Sequence, residues 1–274
     1  MPTPSRLDRP VVAADSATIA AANLLSAAAR SGTPCAPVRD LIGADDVAAA
    51  YTVQERLTAE RLAAGATIVG RKIGLTSPAV QRQLGVDQPD FGVLFDDMRC
   101  EQDIPVPLSR LLQPKVEAEI AFVLAEDLID GPLDEEQVRG AVDYAVAALE
   151  IVDSRIAGWD IAFGDTVADN ASSGLFVLGT QRRTLDEFET VSARMWMSID
   201  GKCVSTGTGA ACLGDPLLAL AWLARTTRDF GQPLRAGQIV LSGALGPMAA
   251  IEAPGTVTAD ITDLGSVTVS FVQE

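Results

Sequence analysis

Apolar residues in the first quarter of the chain recur at helical spacing. The alanine-rich run at 14–30 predicts one helix, which Gly32 would end. Over 45–64 the apolar positions again fall three and four residues apart, and Gly65 stands where a helix C-terminus often needs a glycine. The pattern therefore predicts an N-terminal helical region over residues 1–65.

From residue 66 onward, short apolar runs alternate with Gly, Pro and Asp. Such runs are typical of β-strands separated by turns. They predict a β-rich domain over residues 66–274. The clearest runs lie at 67–75, 115–124, 195–204, 237–245 and 266–271.

Two helices are predicted to interrupt the β-rich domain. Asp134 and Gln137 have the spacing of a capping box, and apolar residues from Val138 to Leu149 predict a buried helical stripe. The second helix is predicted over 216–226. Because the segments are irregularly spaced and no long repeat occurs, the sequence predicts a mixed α+β fold.

The composition excludes several partners and several kinds of chemistry. The chain has 21 Lys and Arg against 37 Asp and Glu, and the resulting net charge of −16 disfavours binding to nucleic acid or to an anionic membrane. It contains no histidine, so proton transfer and metal binding fall to other side chains. Without paired cysteines or a long apolar segment, we expect a cytoplasmic protein.

Three glutamates are candidate metal ligands. Glu117 and Glu119 alternate along one predicted strand, with Cα atoms about 6.6 Å apart, close enough to share a cation. The solvated face of an edge strand would explain the same pattern. Glu150 stands in an apolar stretch, where burial would require a cation or a hydrogen-bond donor, unless it lies at a solvent-exposed helix end.

Lys72 and Asp90 are candidate catalytic residues. Lys72 shares its predicted strand face with Gly70 and Gly74, which would leave room for a small ligand beside the ammonium group. A surface lysine on an edge strand is the alternative. Asp90 follows Pro89 in a turn-like PDFG sequence, so it is either a functional acid or the acid of an Asx turn.

A loop of small polar residues, 164–174, is a candidate for anion binding. Asn170, Ser172 and Ser173 could contribute side chains there together with backbone amides. An ordinary connecting loop would have the same composition.

Five ordered segments together resemble the 2-keto-4-pentenoate hydratase family of the fumarylacetoacetate hydrolase superfamily. They are GRKIGLTS at 70–77, PDFGVLFDDM at 89–98, PKVEAEIAFVL at 114–124, ALEIVDSRI at 148–156 and VADNASSG at 167–174. The segments at 204–224 and 240–248 are more similar to hydratases than to the sister 4-oxalocrotonate decarboxylases. The resemblance implies a mixed β-roll or distorted barrel with peripheral helices, and a catalytic domain of this type over 66–274.

The resemblance also implies a divalent metal held by Glu117, Glu119 and Glu150. Three carboxylates without histidine form an all-oxygen site, which suits Mg²⁺ or Mn²⁺. The resemblance further implies homo-oligomers of up to ten subunits, and association with neighbouring pathway enzymes is a further expectation.

By the same resemblance, Lys72 and Asp90 line the catalytic site, and Ser172 and Ser173 close over the substrate. Lys72 would bind the anionic substrate and transfer a proton, while Asp90 would act as general acid and base or orient Lys72. The sequence does not assign the individual protons.

The expected reaction is hydration of 2-hydroxypenta-2,4-dienoate, also called 2-keto-4-pentenoate, to 4-hydroxy-2-oxopentanoate during meta-cleavage of aromatic or steroid rings. Its substrate is thus a small 2-oxo or 2-hydroxydienoic acid. Decarboxylation of 4-oxalocrotonate, hydrolysis of an acylpyruvate and a catalytically silent subunit are the alternatives.

Overall fold

The computed structural model describes residues 16–77, 81 and 86–273. The helices of this part are α1 (Ser16–Ser31), α2 (Arg39–Ile42), α3 (Val47–Ala63), α4 (Glu135–Gly140), α5 (Phe163–Ala168) and α6 (Pro216–Asp229). The first seven strands are β1 (Ile68–Gly74), β2 (Asp90–Phe95), β3 (Arg99–Cys100), β4 (Val106–Pro107), β5 (Pro114–Leu124), β6 (Val142–Asp153) and β7 (Ser173–Leu178). The remaining strands are β8 (Arg194–Ile199), β9 (Lys202–Thr208), β10 (Ile239–Ala244), β11 (Ala249–Ala250), β12 (Gly255–Ile261) and β13 (Gly265–Val272).

The N-terminal helices lie where the apolar spacing predicts them. Helix α1 buries one stripe that includes Ala21 and Leu25, and α3 begins after Asp46, whose side chain accepts a hydrogen bond from the Ala49 amide. Helix α3 packs against both α1 and α5. The predicted start of the first helix, at residue 14, lies outside the described residues. A domain boundary at residue 65 stays a prediction.

The strands form two mixed sheets. An eight-stranded sheet has the order β2-β1-β10-β5-β6-β7-β3, with β11 added beside β5. A five-stranded sheet has the order β4-β13-β12-β8-β9. Strands β12 and β13 contact β6, so the smaller sheet covers part of the larger one. The predicted mixed α+β class is confirmed.

The predicted helical stripe from Val138 to Leu149 is wrong beyond its first turn. Helix α4 does begin after Asp134, whose side chain accepts from the Gln137 amide, but it ends at Gly140. The rest of the stripe belongs to β6, which pairs with β5 on one side and β7 on the other. Because both faces of this central strand are covered, its middle is an unbroken apolar run over 145–149, and spacing alone does not distinguish such a run from a buried helix.

The segment MWMSIDGKCV is a hairpin rather than a single strand. Strands β8 and β9 pair antiparallel across a turn at Asp200 and Gly201, and both turn residues have positive φ. Positive φ at two central residues is the geometry that two-residue hairpins require. None of the helices in the described ranges has the length and apolar character needed to cross a membrane.

Candidate active site

The two longest central strands bring the three candidate glutamates together. Glu117 on β5 lies directly opposite Glu150 on β6, and Glu119 lies two residues further along β5. One carboxylate oxygen from each lies within 4.8 Å of the other two. Strand β5 lies between β10 and β6, so it is not an edge strand. Glu150 lies within a strand, not at a helix end.

These carboxylates are buried without enough partners. Glu119 is completely buried and Glu150 is 1% exposed, whereas Glu117 is partly buried. Glu119 Oε2 accepts a hydrogen bond of 2.8 Å from the Gly243 amide. Its other oxygen and Glu150 Oε2 have no hydrogen-bond partner among the described residues, and Glu150 Oε1 has only the ion pair with Lys72. Unpaired buried carboxylate oxygens are costly, and a bound cation would satisfy them.

The crowding of the glutamates changes their pKa values. Burial, followed by the charge of Glu150, raises the pKa of Glu117 to about 7. The same two causes raise the pKa of Glu119 well above its usual value, and burial raises that of Glu150. Proximity of like charges in a dry site therefore favours protonation unless a positive charge is added. The donor set fits a hard divalent cation such as Mg²⁺, Mn²⁺ or Ca²⁺.

Lys72 supplies one positive charge beside the glutamates. Its Nζ atom lies 3.2 Å from Glu150 Oε1, and the residue is 3% exposed. Burial lowers the pKa of Lys72, but the charges of Glu150 and Asp90 more than offset this effect, so the pKa lies above its usual value. Strand β1 pairs with β2 and β10, which excludes the interpretation as an edge-strand surface lysine.

The two glycines beside Lys72 make room for protein atoms. A Cβ atom on Gly74 would overlap Asp90 Oδ1 and lie 3.4 Å from Lys72 Nζ. A Cβ atom on Gly70 would overlap the carbonyl of Ile239 on β10. The predicted close approach is therefore present, but the neighbours are the Asp90 carboxylate and the adjacent backbone.

Asp90 is the first residue of β2, paired with Gly74, and is not the acid of an exposed Asx turn. Its Oδ2 atom accepts a hydrogen bond of 3.2 Å from Thr166 Oγ1. Its Oδ1 atom has no hydrogen-bond partner in the described part of the chain. Burial raises the pKa of Asp90, although Lys72 and Thr166 act in the opposite direction. Asp90 is thus a buried acid, adjacent to Lys72, that is able to hold a proton.

The two candidate serines differ in their hydrogen bonding. Asn170, Ala171 and Ser172 have φ values of 54°, 51° and 52°, a strained left-handed run for residues other than glycine. The Asn170 side chain fixes this turn by bonding both backbone groups of Val93. Ser173 Oγ donates to the Asn170 carbonyl at 2.7 Å. The Ser172 hydroxyl is buried and has no partner among the described residues, so it is available to a ligand.

Thr166 and the Gly243 amide were not among the residues selected from the sequence. Both complete the site by contacting one of its carboxylates. The glycine-rich SGALG segment was a sequence signal for the contact made by the Gly243 amide. Gly243 has a φ of 110°, and a Cβ atom there would overlap Thr76. Thr166 lies in α5, so the prediction of a loop over 164–174 is wrong for its first part, and nothing in the sequence distinguished this threonine from others.

Comparison with known sequences places the chain among enzymes. Residues 80–272 match the family described as fumarylacetoacetate (FAA) hydrolase C-terminal. The chain is 53% identical over 253 residues to the TodF product hydratase of Pseudomonas putida strain F1, covering 92% of this chain and 94% of that protein. It is 51% identical over 259 residues to 2-keto-4-pentenoate hydratase of Burkholderia vietnamiensis, covering 94% and 99% respectively.

Among solved structures, the chain is similar to 4-oxalocrotonate decarboxylase from Pseudomonas putida G7, complexed with magnesium and adipate. The TM-score is 0.89 at 32% sequence identity, and the match covers 93% of this chain and 97% of the decarboxylase. This similarity confirms the predicted fold, a mixed β-roll with peripheral helices. It also supports a divalent metal in a site of this kind.

Proposed function

Because this chain belongs to the fumarylacetoacetate hydrolase family, we propose that it is a metal-dependent hydratase, a lyase that converts 2-hydroxypenta-2,4-dienoate to 4-hydroxy-2-oxopentanoate. The observation that carries the proposal is the buried cluster of three glutamates beside Lys72. The 51% sequence identity to 2-keto-4-pentenoate hydratase supports hydration as the reaction. Such a reaction belongs to the meta-cleavage catabolism of aromatic or steroid rings.

Glu117, Glu119 and Glu150 are the proposed metal ligands. The unpaired buried oxygens of Glu119 and Glu150 and the raised pKa values of all three glutamates support this role, because a divalent cation would relieve both. Magnesium or manganese is the proposed ion, since all three ligands are hard oxygen donors. When bound, the ion would supply positive charge that stabilises electron density developing on the carbonyl oxygen of a 2-oxo acid.

Lys72 and Asp90 are proposed to hold and move protons. The reaction requires the enol hydroxyl to lose its proton as C5 gains one, and then water to add across C3 and C4, with its hydroxyl going to C4 and a proton to C3. Asp90 can carry a proton because burial raises its pKa, and it lies next to the Lys72 ammonium group. Lys72 can also bind the substrate carboxylate, since it is a buried cation in an acidic site.

The turn at Ser172 is proposed to bind the substrate. Its free hydroxyl can donate a hydrogen bond to a carboxylate, and the strained backbone is fixed by the Asn170 side chain. The Ser173 hydroxyl already bonds the Asn170 carbonyl. We therefore assign Ser173 mainly to shaping this turn and Ser172 to direct contact.

Decarboxylation of 4-oxalocrotonate is the second candidate, supported by the fold similarity to 4-oxalocrotonate decarboxylase at a TM-score of 0.89. A spectrophotometric assay with freshly made 2-hydroxypenta-2,4-dienoate, run beside 4-oxalocrotonate, separates the two reactions. We expect water addition to the first substrate, loss of turnover with EDTA, and recovery with Mg²⁺ or Mn²⁺. Carbon dioxide release from the second substrate at a higher kcat/KM would contradict the assignment.

A homo-oligomer is the proposed working form, as the family resemblance implies, and the cysteine pattern favours a cytoplasmic location. Sedimentation of the full chain tests this assembly. A single monomeric species in solution that retains full turnover would refute it.

A further inference from the structure

A cavity lies on the reverse side of β1 from the glutamates. Arg71 and Lys72 are consecutive on this strand, so their side chains point to opposite faces of the sheet. Lys72 reaches Glu150, whereas Arg71 lines a cavity of about 430 Å³ between β1, β2, α3 and the end of α6. This volume lies within the range of sites for small organic ligands.

Arg71 is a buried cation without an acidic partner. It is 4% exposed, and its Nη1 and Nη2 atoms donate to the Gly70 carbonyl and to Gln232 Oε1 at 3.2 and 2.9 Å. Its Nε atom has no hydrogen-bond partner, and no acid of the described residues forms an ion pair with it. Burial lowers the pKa of Arg71 to about 10, so it is still charged at neutral pH. A buried charge without an acidic partner destabilises the fold.

Three aromatic rings form part of the wall around Arg71. The rings of Tyr51 and Phe91 are stacked with centroids 4.8 Å apart, and Phe230 lies 4.8 Å from Tyr51. Gln54 also lines the cavity, but its amide nitrogen already donates to two backbone carbonyls. The Gln54 amide nitrogen is thus already satisfied, whereas Arg71 Nε is a buried donor without a partner among the described residues.

The outer part of the cavity carries charges of both signs. Glu55 is exposed at this end, and Arg235 is paired with Asp127 at 2.8 Å. Neither of the two acids, Glu55 and Asp127, places a buried carboxylate near Arg71. A ligand's own negative group would therefore meet Arg71 at depth, away from the solvated Glu55 carboxylate.

We propose that this cavity binds a small organic carboxylate with a planar apolar body, whose carboxylate accepts hydrogen bonds from Arg71 while its body contacts Tyr51, Phe91 and Phe230. A carboxylate suits a guanidinium because the two planar groups can form parallel hydrogen bonds. The site is separate from the glutamate cluster and does not depend on the proposed reaction. A ligand there would contact the same strand that carries Lys72.

Benzoate is the probe, with the neutral benzamide as its matched control. In calorimetric titration of the full chain with Mg²⁺, we expect benzoate to bind at least about tenfold more tightly than benzamide, as expected for hydrogen bonds to a charged group. Arg71→Met should abolish this preference. Arg194→Gln, which removes an exposed cation from β8 in the other sheet, should retain it.

Gln232→Glu provides a second, independent test. This substitution would place a carboxylate at the position of an atom 2.9 Å from Arg71 Nη2. We expect it to raise the melting temperature and weaken benzoate binding at least about tenfold, because the cation would gain an internal partner. A simple structural role for Arg71 would not predict loss of binding in this variant.

Several outcomes would overturn the proposal. They are equal binding of benzoate and benzamide, unchanged benzoate affinity in Arg71→Met, and loss of all benzoate binding when EDTA removes the metal. The last result would place benzoate at the glutamates. A benzoate-soaked crystal should show the carboxylate against Arg71 Nε, and density elsewhere alone would refute the assignment.

Discussion

Metal affinity should depend steeply on pH, because the proposed ligands bind protons in the absence of metal. Burial and the charge of Glu150 raise the pKa of Glu117 to about 7, and the pKa of Glu119 is also raised. Below pH 7 a metal ion must displace at least the proton on Glu117. Each displaced proton weakens the apparent affinity about tenfold for every unit by which the pH falls.

The direction of this pH dependence follows from the direction of the pKa shifts. A raised carboxyl pKa means that the metal-free fold prefers the protonated group, so its stability falls as the pH rises from the usual value of 4.5 to about 7. Over this window the ionised form, which binds metal, becomes more populated. We therefore expect the stabilisation by Mg²⁺ to increase with pH and to level off above the pKa of the last glutamate that loses a proton.

Calorimetry at pH 5.5, 6.5 and 7.5, in buffers of different ionisation enthalpy, measures both the affinity and the protons released. We expect between about one and three protons per metal ion at the lowest pH, one for each glutamate that must ionise. Glu117→Gln should release about one proton fewer. A pH-independent affinity with no proton release would refute the proposed ligand set.

Three substitutions test individual parts of the site. Glu119→Gln should lose metal affinity and turnover while its circular dichroism spectrum stays unchanged, since it removes a buried charge without changing side-chain size; wild-type turnover would contradict this. Lys72→Met should lower kcat at least about a hundredfold, the usual contribution of a proton-transfer group, with metal affinity retained. Gly74→Ala should destabilise the fold by about 1–3 kcal/mol in urea unfolding and lower kcat, because the new methyl group overlaps Asp90. Its control, Gly140→Ala, has open space at the new Cβ atom and should leave kcat unchanged.

The sequence predicted the strand of Glu117 and Glu119 better than the strand of Glu150. Glu117 and Glu119 were placed on one face because alternation along a strand is a local property. Their proximity to Glu150 depends on the pairing of β5 with β6, which the sequence did not specify, since the β6 region was interpreted as a helix. The error arose because a strand covered on both faces has no alternating pattern.

Asp90 illustrates a second limit. The sequence PDFG contains turn-forming residues, yet Asp90 begins a buried strand and pairs with Gly74. Its environment is set by residues distant in sequence, Lys72 and Thr166, so local preferences could not determine it. The same reasoning applies to Arg71, whose burial depends on Gln232 and on packing of α3 across the sheet.

The most direct test of the account is a crystal of the full chain soaked in MnCl₂ and measured at the manganese absorption edge. We predict an anomalous peak about 2.0–2.6 Å from one carboxylate oxygen each of Glu117, Glu119 and Glu150, and no such peak in Glu119→Gln. Manganese bound only elsewhere would contradict the metal-dependent hydratase. So would an empty glutamate cluster, if the enzyme also turns over after complete chelation.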